Sequence, residues 1–360
     1  MKTRQNIATQ ADHPSILNAL RRFMVPLLLL SISSTSAAQL SDSEFNQCLA
    51  NLQVQARELG LSDQTVDEVI PTLQVQNRVV ELDRSQPEFV QTFGQYLGIR
   101  VTTTRIERGR EAFQAKSALL RALHNEYGVP GQYLMAFWGL ETNFGAYLGA
   151  LPTLDSLATL ACDQRRSAFF TTEFLTALEL MERERFTPEQ MQGSWAGAVG
   201  HTQFMPSNYM RYAVDGDNDG TIDLWRSEAD ALASGANFLS ELGWVPDLRW
   251  GREVRIPQGF DYALAGRSHW LSLDEWSAMG IRRANGQILP VEADITAALL
   301  VPAGAEGPAF LVYENFEIIM RWNRSESYAL SVGLLADEIA GGSSLVVQPP
   351  GGDGLRYADI

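Results

Sequence analysis

Apolar residues recur at helical spacing from the first residues after Ser41. In EFNQCLANLQVQARELG, Phe45, Cys48, Leu49, Leu52, Ala56 and Leu59 share one face. Ser41 and Glu44 form a capping box in front of the run, and Gly60 stops it. The same period continues through GREAFQAKSALLRALHNEYG, so residues 39–128 read as an N-terminal α-helical domain. Helical patterns persist over 129–244, between loops rich in Gly, Asp and Asn. Thr187, Pro188 and Gln190 mark a further helix start there. From Val245 to Glu306 the pattern changes to short alternating or β-branched runs, REVRIP and ITAALLVP, with turn signals at PQG, NG and PAGAEG. This predicts a small β-rich domain over 245–306 with one short helix capped by Ser272 and Glu275. Residues 307–342 return to strand and then helix, and 343–360 read as a loose tail. The expected fold is α+β and predominantly helical, with a core over 129–244 that resumes at 307–342.

The first 38 residues do not share that pattern. Arg21 and Arg22 precede the apolar run FMVPLLLLSI, and Ser36 and Ala38 satisfy the small-x-small rule for cleavage before Gln39. Ten apolar residues are too few to span a bilayer. Residues 1–38 therefore read as a signal peptide, and no cysteine at the cleavage site indicates a lipid anchor. Removing them leaves 24 basic against 42 acidic residues, a net charge of −18. That balance excludes nucleic acid as a partner, whose binding needs a basic footprint. The two cysteines, Cys48 and Cys162, read as one disulfide in an exported chain, whereas in a cytosolic one they would read as two buried thiols.

One acid stands out. In LMAFWGLETNFG, Leu134, Phe137, Trp138 and Glu141 fall at i, i+3, i+4 and i+7, on one helical face. Desolvation there would raise the carboxyl pKa, as a general acid at neutral pH requires. The alternative is a glutamate at a helix end that swings to water past Thr142, Asn143 and Gly145. Position alone leaves both open. His13, His124, His201 and His269 are scattered and form no paired-histidine zinc pattern, and there is no G-x-S-x-G elbow.

A second signal is DGDNDGTIDLW. Asp215, Asp217 and Asp219 occupy positions 1, 3 and 5 of a calcium loop, Gly220 position 6, Thr221 position 7 and Asp223 position 9. Arg226 stands at position 12 in place of Glu, so a longer loop would recruit Glu228 or Asp230. A structural calcium ion is expected, against the alternative of an Asx-rich solvated turn. In GSWAGAVGHTQFMPSNYMRY, small residues allow close approach, and Ser194, Gln203 and Tyr209 add hydrogen-bonding groups. Glycine-rich packing explains that segment equally well.

Taken together, YGVP, GLETNFG, TLDSLATLACDQRRSAFF, GSWAGAVGHTQFMPSNY, AVDGDNDGTIDLW, DALASGANFLSELGW and YENFEIIMRWNRSESYALSVGLLA resemble the B-type family of lytic murein transglycosylases. They occur in family order over most of residues 45–340. The resemblance implies a lysozyme-like catalytic core with an α domain, a small β domain and a calcium loop closed by Asp230. It implies that Glu141 serves as acid and then base. Ser194 and Gln203 would contact sugar N-acetyl groups or orient the glutamate, and Tyr328 and Tyr96 would line the cleft. Trp322 and Phe238 depart from the family, standing where tyrosines are found, and would keep a stacking surface for sugar. The implied reaction cleaves the MurNAc-GlcNAc bond of peptidoglycan and closes the muramyl C6 hydroxyl onto C1. A water-using muramidase and a non-catalytic, calcium-stabilised peptidoglycan-binding protein are the alternatives. The implied setting is the periplasm, with a monomer acting on glycan strands beside other cell-wall enzymes and needing no organic cofactor.

Overall fold

The capping box at Ser41 and Glu44 forms, and α1 (Asp42–Glu58) lays Phe45, Leu49, Leu52 and Ala56 into a core. The computed structural model describes residues 40–84, 91–290 and 295–350 of the chain, and the expected signal peptide lies outside them. After a π turn and a 3-10 turn comes α2 (Asn77–Arg84). Both helices pack on α7 (Thr153–Cys162), and α1 also on α8 (Ser167–Glu184). Cys48 of α1 and Cys162 of α7 are bonded to each other.

A different core gathers α3 (Phe93–Arg100), α4 (Thr103–Ala115), α5 (Ser117–Tyr127), α6 (Gly131–Thr142), α12 (Glu314–Trp322) and α13 (Glu326–Ile339). The helices of 39–128 are thus divided between two cores according to which apolar face each one presents. α9 (Pro206–Tyr212) joins the core of α7 and α8. α10 (Glu228–Glu241) serves both, with Leu232 and Leu239 in one core and Ala231 and Phe238 in the other. Trp322 is packed against both cores and marks the seam between them.

Two strands, β1 (Leu151–Pro152) and β2 (Gln192–Gly193), pair as a short antiparallel ribbon. The capping box at Thr187 and Gln190 does form, but it starts a single 3-10 turn instead of the expected helix, because the chain leaves at Met191 to build β2. A five-stranded antiparallel sheet follows, with β3 (Gly251–Arg255), β4 (Gly266–Ser272), β5 (Arg282–Arg283), β6 (Thr296–Leu300) and β7 (Ala309–Val312). Its order is β4-β6-β7-β3-β5. The central strand β7 lies beyond residue 306, so the sheet continues to Val312. Ala298, Leu300, Phe310 and Val312 face the helical core, while Ala297, Leu299, Ala309 and Leu311 face a third core under α11 (Leu273–Ala278). Period-two alternation on a sheet covered on both sides explains this division. Ser272 and Glu275 cap α11 as expected. The described part of the tail is anchored, since the amides of Val346 and Val347 both donate to the Glu253 carboxylate. Among the described residues no helix is long and apolar enough to cross a membrane.

Candidate active site

Every residue of α6 from Tyr133 to Leu140 is buried. The helix is enclosed on all sides, not only along the one face read from the sequence, and its last turn brings Glu141 out to a half-buried position. Asn143, Phe144 and Gly145 then take positive φ in succession, at 53°, 60° and 76°. Such backbone is costly for phenylalanine and persists only where packing holds it. Here Phe144 folds its ring back onto Trp138 and over Gly139, where a Cβ would lie 2.6 Å from the ring. The amides of Asn143 and Phe144 cap the carbonyls of Gly139 and Trp138.

Two side chains meet the Glu141 carboxyl group from the far end of the chain. Trp322, the last residue of α12, donates its indole N–H to Oε1 at 3.0 Å. Tyr328, in the first turn of α13, donates its hydroxyl to the same oxygen. Burial, the Glu141 charge and this hydrogen bond raise the Tyr328 phenol well above its ordinary pKa, so it stays a neutral donor. Phe137 stacks on Trp322 with ring centroids 4.3 Å apart. Phe238 is only 5% exposed and lies behind Trp322 with Phe204 and Tyr212, so it backs the ring rather than offering an open face to sugar. Tyr96 is 2% exposed and acts electrostatically on Tyr328.

The loop that follows α6 is joined to the loops around Gly193 and Gly200. Gly149, at φ 91°, packs so tightly on Gly193 that a Cβ would fall 2.1 Å from its carbonyl oxygen. Gln203 sits at φ 49° and donates its side-chain amide to the carbonyls of Leu148 and Gly200, fastening both loops. The Ser194 hydroxyl accepts the Ala198 amide at 3.1 Å and shapes the turn between them. Tyr209 is fully buried and donates to the Ile222 carbonyl.

His201 links these parts, and no local sequence signal distinguishes it. Its Nδ1 accepts the Trp138 indole N–H at 3.0 Å, its carbonyl accepts the Thr142 hydroxyl at 3.1 Å, and its amide donates to the Leu224 carbonyl at 2.8 Å. Burial lowers its pKa, in keeping with a neutral ring whose Nδ1 must accept.

Leu224 belongs to the acidic loop. Asp215, Asp217 and Asp230 bring carboxylate oxygens within 4.8 Å of one another. Asp230 is 1% exposed and accepts the amides of Gly216 and Asp223, stitching the two ends of the loop. Three converging carboxylates are a hard-oxygen donor set suited to a cation such as calcium. The other expected ligands have partners elsewhere. Asp219 accepts from the amide and hydroxyl of Thr221, and Asp223 pairs with Arg226. Arg226, the residue at position 12, therefore faces Asp223 and leaves closure of the loop to Asp230.

Residues 44–337 match the Transglycosylase SLT domain family. Over 247 residues the chain is 32% identical to membrane-bound lytic murein transglycosylase B of Escherichia coli (strain K12). That alignment covers 67% of this chain and 65% of the relative, just under two thirds of the relative's own length. Among solved structures, SltB3 of Pseudomonas aeruginosa in complex with NAG-NAM-pentapeptide superposes with a TM-score of 0.83 at 41% identity, covering 87% of this chain and 84% of that one. The Escherichia coli lytic transglycosylase Slt35 in complex with calcium gives a TM-score of 0.71 at 28% identity, covering 82% and 93%. Because the matched segment runs from α1 to α13 and takes in Glu141 with both donors to its carboxyl group, the chain belongs to the Transglycosylase SLT domain family.

Proposed function

We propose that this protein is a lytic transglycosylase that cleaves the β-1,4 bond between N-acetylmuramic acid and N-acetylglucosamine in peptidoglycan without consuming water. The observation that carries this reading is the Glu141 carboxyl group, emerging from a buried helix into the seam between two cores with Oε1 held by Trp322 and Tyr328. Protonated Glu141 gives its proton to the glycosidic oxygen. The C1–O bond breaks, its electron pair stays on that oxygen, and N-acetylglucosamine leaves with a free 4-hydroxyl. The Glu141 carboxylate then takes the proton of the muramyl C6 hydroxyl while O6 bonds to C1. The product carries a 1,6-anhydro end and Glu141 regains its proton, so one carboxyl group closes the cycle. An ordinary glycosidase needs a second carboxylate as nucleophile or base.

Ser194 and Gln203 shape the cleft wall, and Tyr96 supports Tyr328. Asp215, Asp217 and Asp230 hold a structural calcium ion, which when bound offsets the repulsion among their charges. The chain is exported and works in the periplasm on glycan strands. Digestion of purified sacculi, followed by mass spectrometry, tests the reading. Anhydro-muropeptides are expected from the parent protein and none from a folded Glu141→Gln variant. Reducing muramic ends from the parent, or full activity in the variant, would refute it.

A further inference from the structure

We infer that Trp322 is a positioning residue for Glu141 that fixes which carboxyl oxygen carries the transferred proton, rather than a platform on which sugar stacks. The inference rests on the reading of Glu141 as acid and base given above.

An indole N–H donates and never accepts, whereas a phenol does both. Trp322 Nε1 points at Oε1 from 3.0 Å. A proton on Oε1 ties up one of that oxygen's lone pairs and makes it a poorer acceptor, so the indole N–H bonds best to Oε1 when the proton sits on Oε2. Oε1 is therefore the favoured accepting oxygen, and Oε2 the one that gives and regains the proton. Tyr328 alone would not impose this, because its hydroxyl can turn and accept. The indole of Trp322 has no such freedom.

The ring is built for such a task. Phe137 stacks on it, while Phe204 and Phe238 lie at centroid distances of 5.4 and 5.2 Å. Aromatic contacts on several sides set its orientation and leave a half-buried ring, poorly disposed to receive a pyranose face. Its position at the C-terminal end of α12, where the chain turns extended at Asn323, fixes the backbone behind it.

The charged and titratable groups around Glu141 come from several elements. Tyr328 reaches it from α13, and Tyr96 and Arg100 of α3 act on Tyr328. Beneath α6, His201 contacts Trp138 and Thr142, and Lys116 lies over the Trp138 ring. Of these, Tyr328 donates to the same oxygen as Trp322, so the two bonds act together on Oε1. Removing the indole N–H takes away a donor that favours the ionised carboxylate, so Glu141 holds its proton to higher pH.

The test is Trp322→Phe, which keeps an aromatic ring and deletes the donor, with folding checked by circular dichroism and melting. The Glu141 carboxyl is followed by carbon-13 NMR titration, and turnover of sacculi is measured across pH. The Glu141 titration and the alkaline limb of kcat/KM are expected to move upward together by about one pH unit, and plateau kcat to fall about tenfold with KM unchanged. An unmoved titration, or a raised KM with kcat intact, overturns the inference and returns Trp322 to the role of a sugar platform. The NMR arm does not depend on turnover. Failure of the transglycosylase reading would show separately, as missing anhydro products from the parent protein.

Discussion

Replacing Cys48 and Cys162 together with serine removes the covalent link between α1 and α7. The two residues are 114 apart in sequence. Releasing a loop of that size raises the entropy of the unfolded chain by about 16 cal/mol/K in the chain-entropy treatment, or about 4.8 kcal/mol at 25 °C. Unfolding roughly 300 ordered residues carries an entropy near 0.6 kcal/mol/K. The double variant should therefore melt about 5–8 °C below the parent, measured by calorimetry at pH 7, and the parent in reductant should fall to meet it. Activity at 25 °C should survive, because the bridge lies in the core of α1, α7 and α8, while the carboxyl group of Glu141 is held by residues of α12 and α13. A melting point within about 1 °C of the parent would show that the bridge does not constrain the unfolded chain. Loss of activity at 25 °C in a folded double variant would show that the two cores are coupled more tightly than this packing implies.

Chelation tests the acidic loop. At calcium a hundredfold above its dissociation constant, binding contributes about 2.7 kcal/mol, so stripping the ion should lower the melting point by about 4 °C, and Asp230→Asn should abolish the response. An unchanged melting curve, with no metal in the purified protein, would remove calcium from the account. A third prediction concerns acid. Burial holds His201 below its ordinary value of 6.5, so the unfolded chain takes up the proton first. Its contribution is complete above about pH 6.5 and is lost as pH falls through the lowered native value. His201→Gln, which keeps an acceptor for Trp138, should lose less stability than the parent between pH 7 and 5, as read by urea denaturation at each pH. Parallel losses in the two proteins would contradict this.

How much of this was legible in the sequence depended on the distance over which each signal acts. Capping boxes at Ser41 and Ser272 involve residues three apart, and both formed as read. The helix start at Thr187, Pro188 and Gln190 was equally clear, yet it begins only one turn because the residues that follow pair with β1. Strand β7 reads AFLV, apolar throughout, because both of its faces are covered, so it lacks the alternation that would have tied it to the sheet. In the acidic loop, carboxylate spacing marked Asp215 and Asp217 correctly as neighbours. It could not show that Asp219 would bond Thr221 and Asp223 would turn to Arg226, since local Asx bonding competes with ligation. Glu141 itself was conspicuous against its apolar neighbours. Its partners stand 181 and 187 residues away, beyond any periodicity, and only the family resemblance pointed to them.

The setting of Glu141 also suits the proposed reaction, in which one group serves in both directions. It lies in the last turn of α6, where the negative end of the helix dipole opposes a negative charge. Trp322 and Tyr328 oppose that tendency by donating to Oε1, which favours the charge. An acid that must release a proton and then recover one needs both protonation states within easy reach, and forces of opposite sign on one carboxyl group provide that. The balance holds only while the end of α6 is fixed in place. Thr142 and Trp138 are bonded to His201, His201 to Leu224, and the amide before Leu224 to the buried carboxylate of Asp230. The acidic loop is thus tied by hydrogen bonds to the end of α6. A cation bound by Asp215, Asp217 and Asp230 would be linked to the end of α6 through these hydrogen bonds.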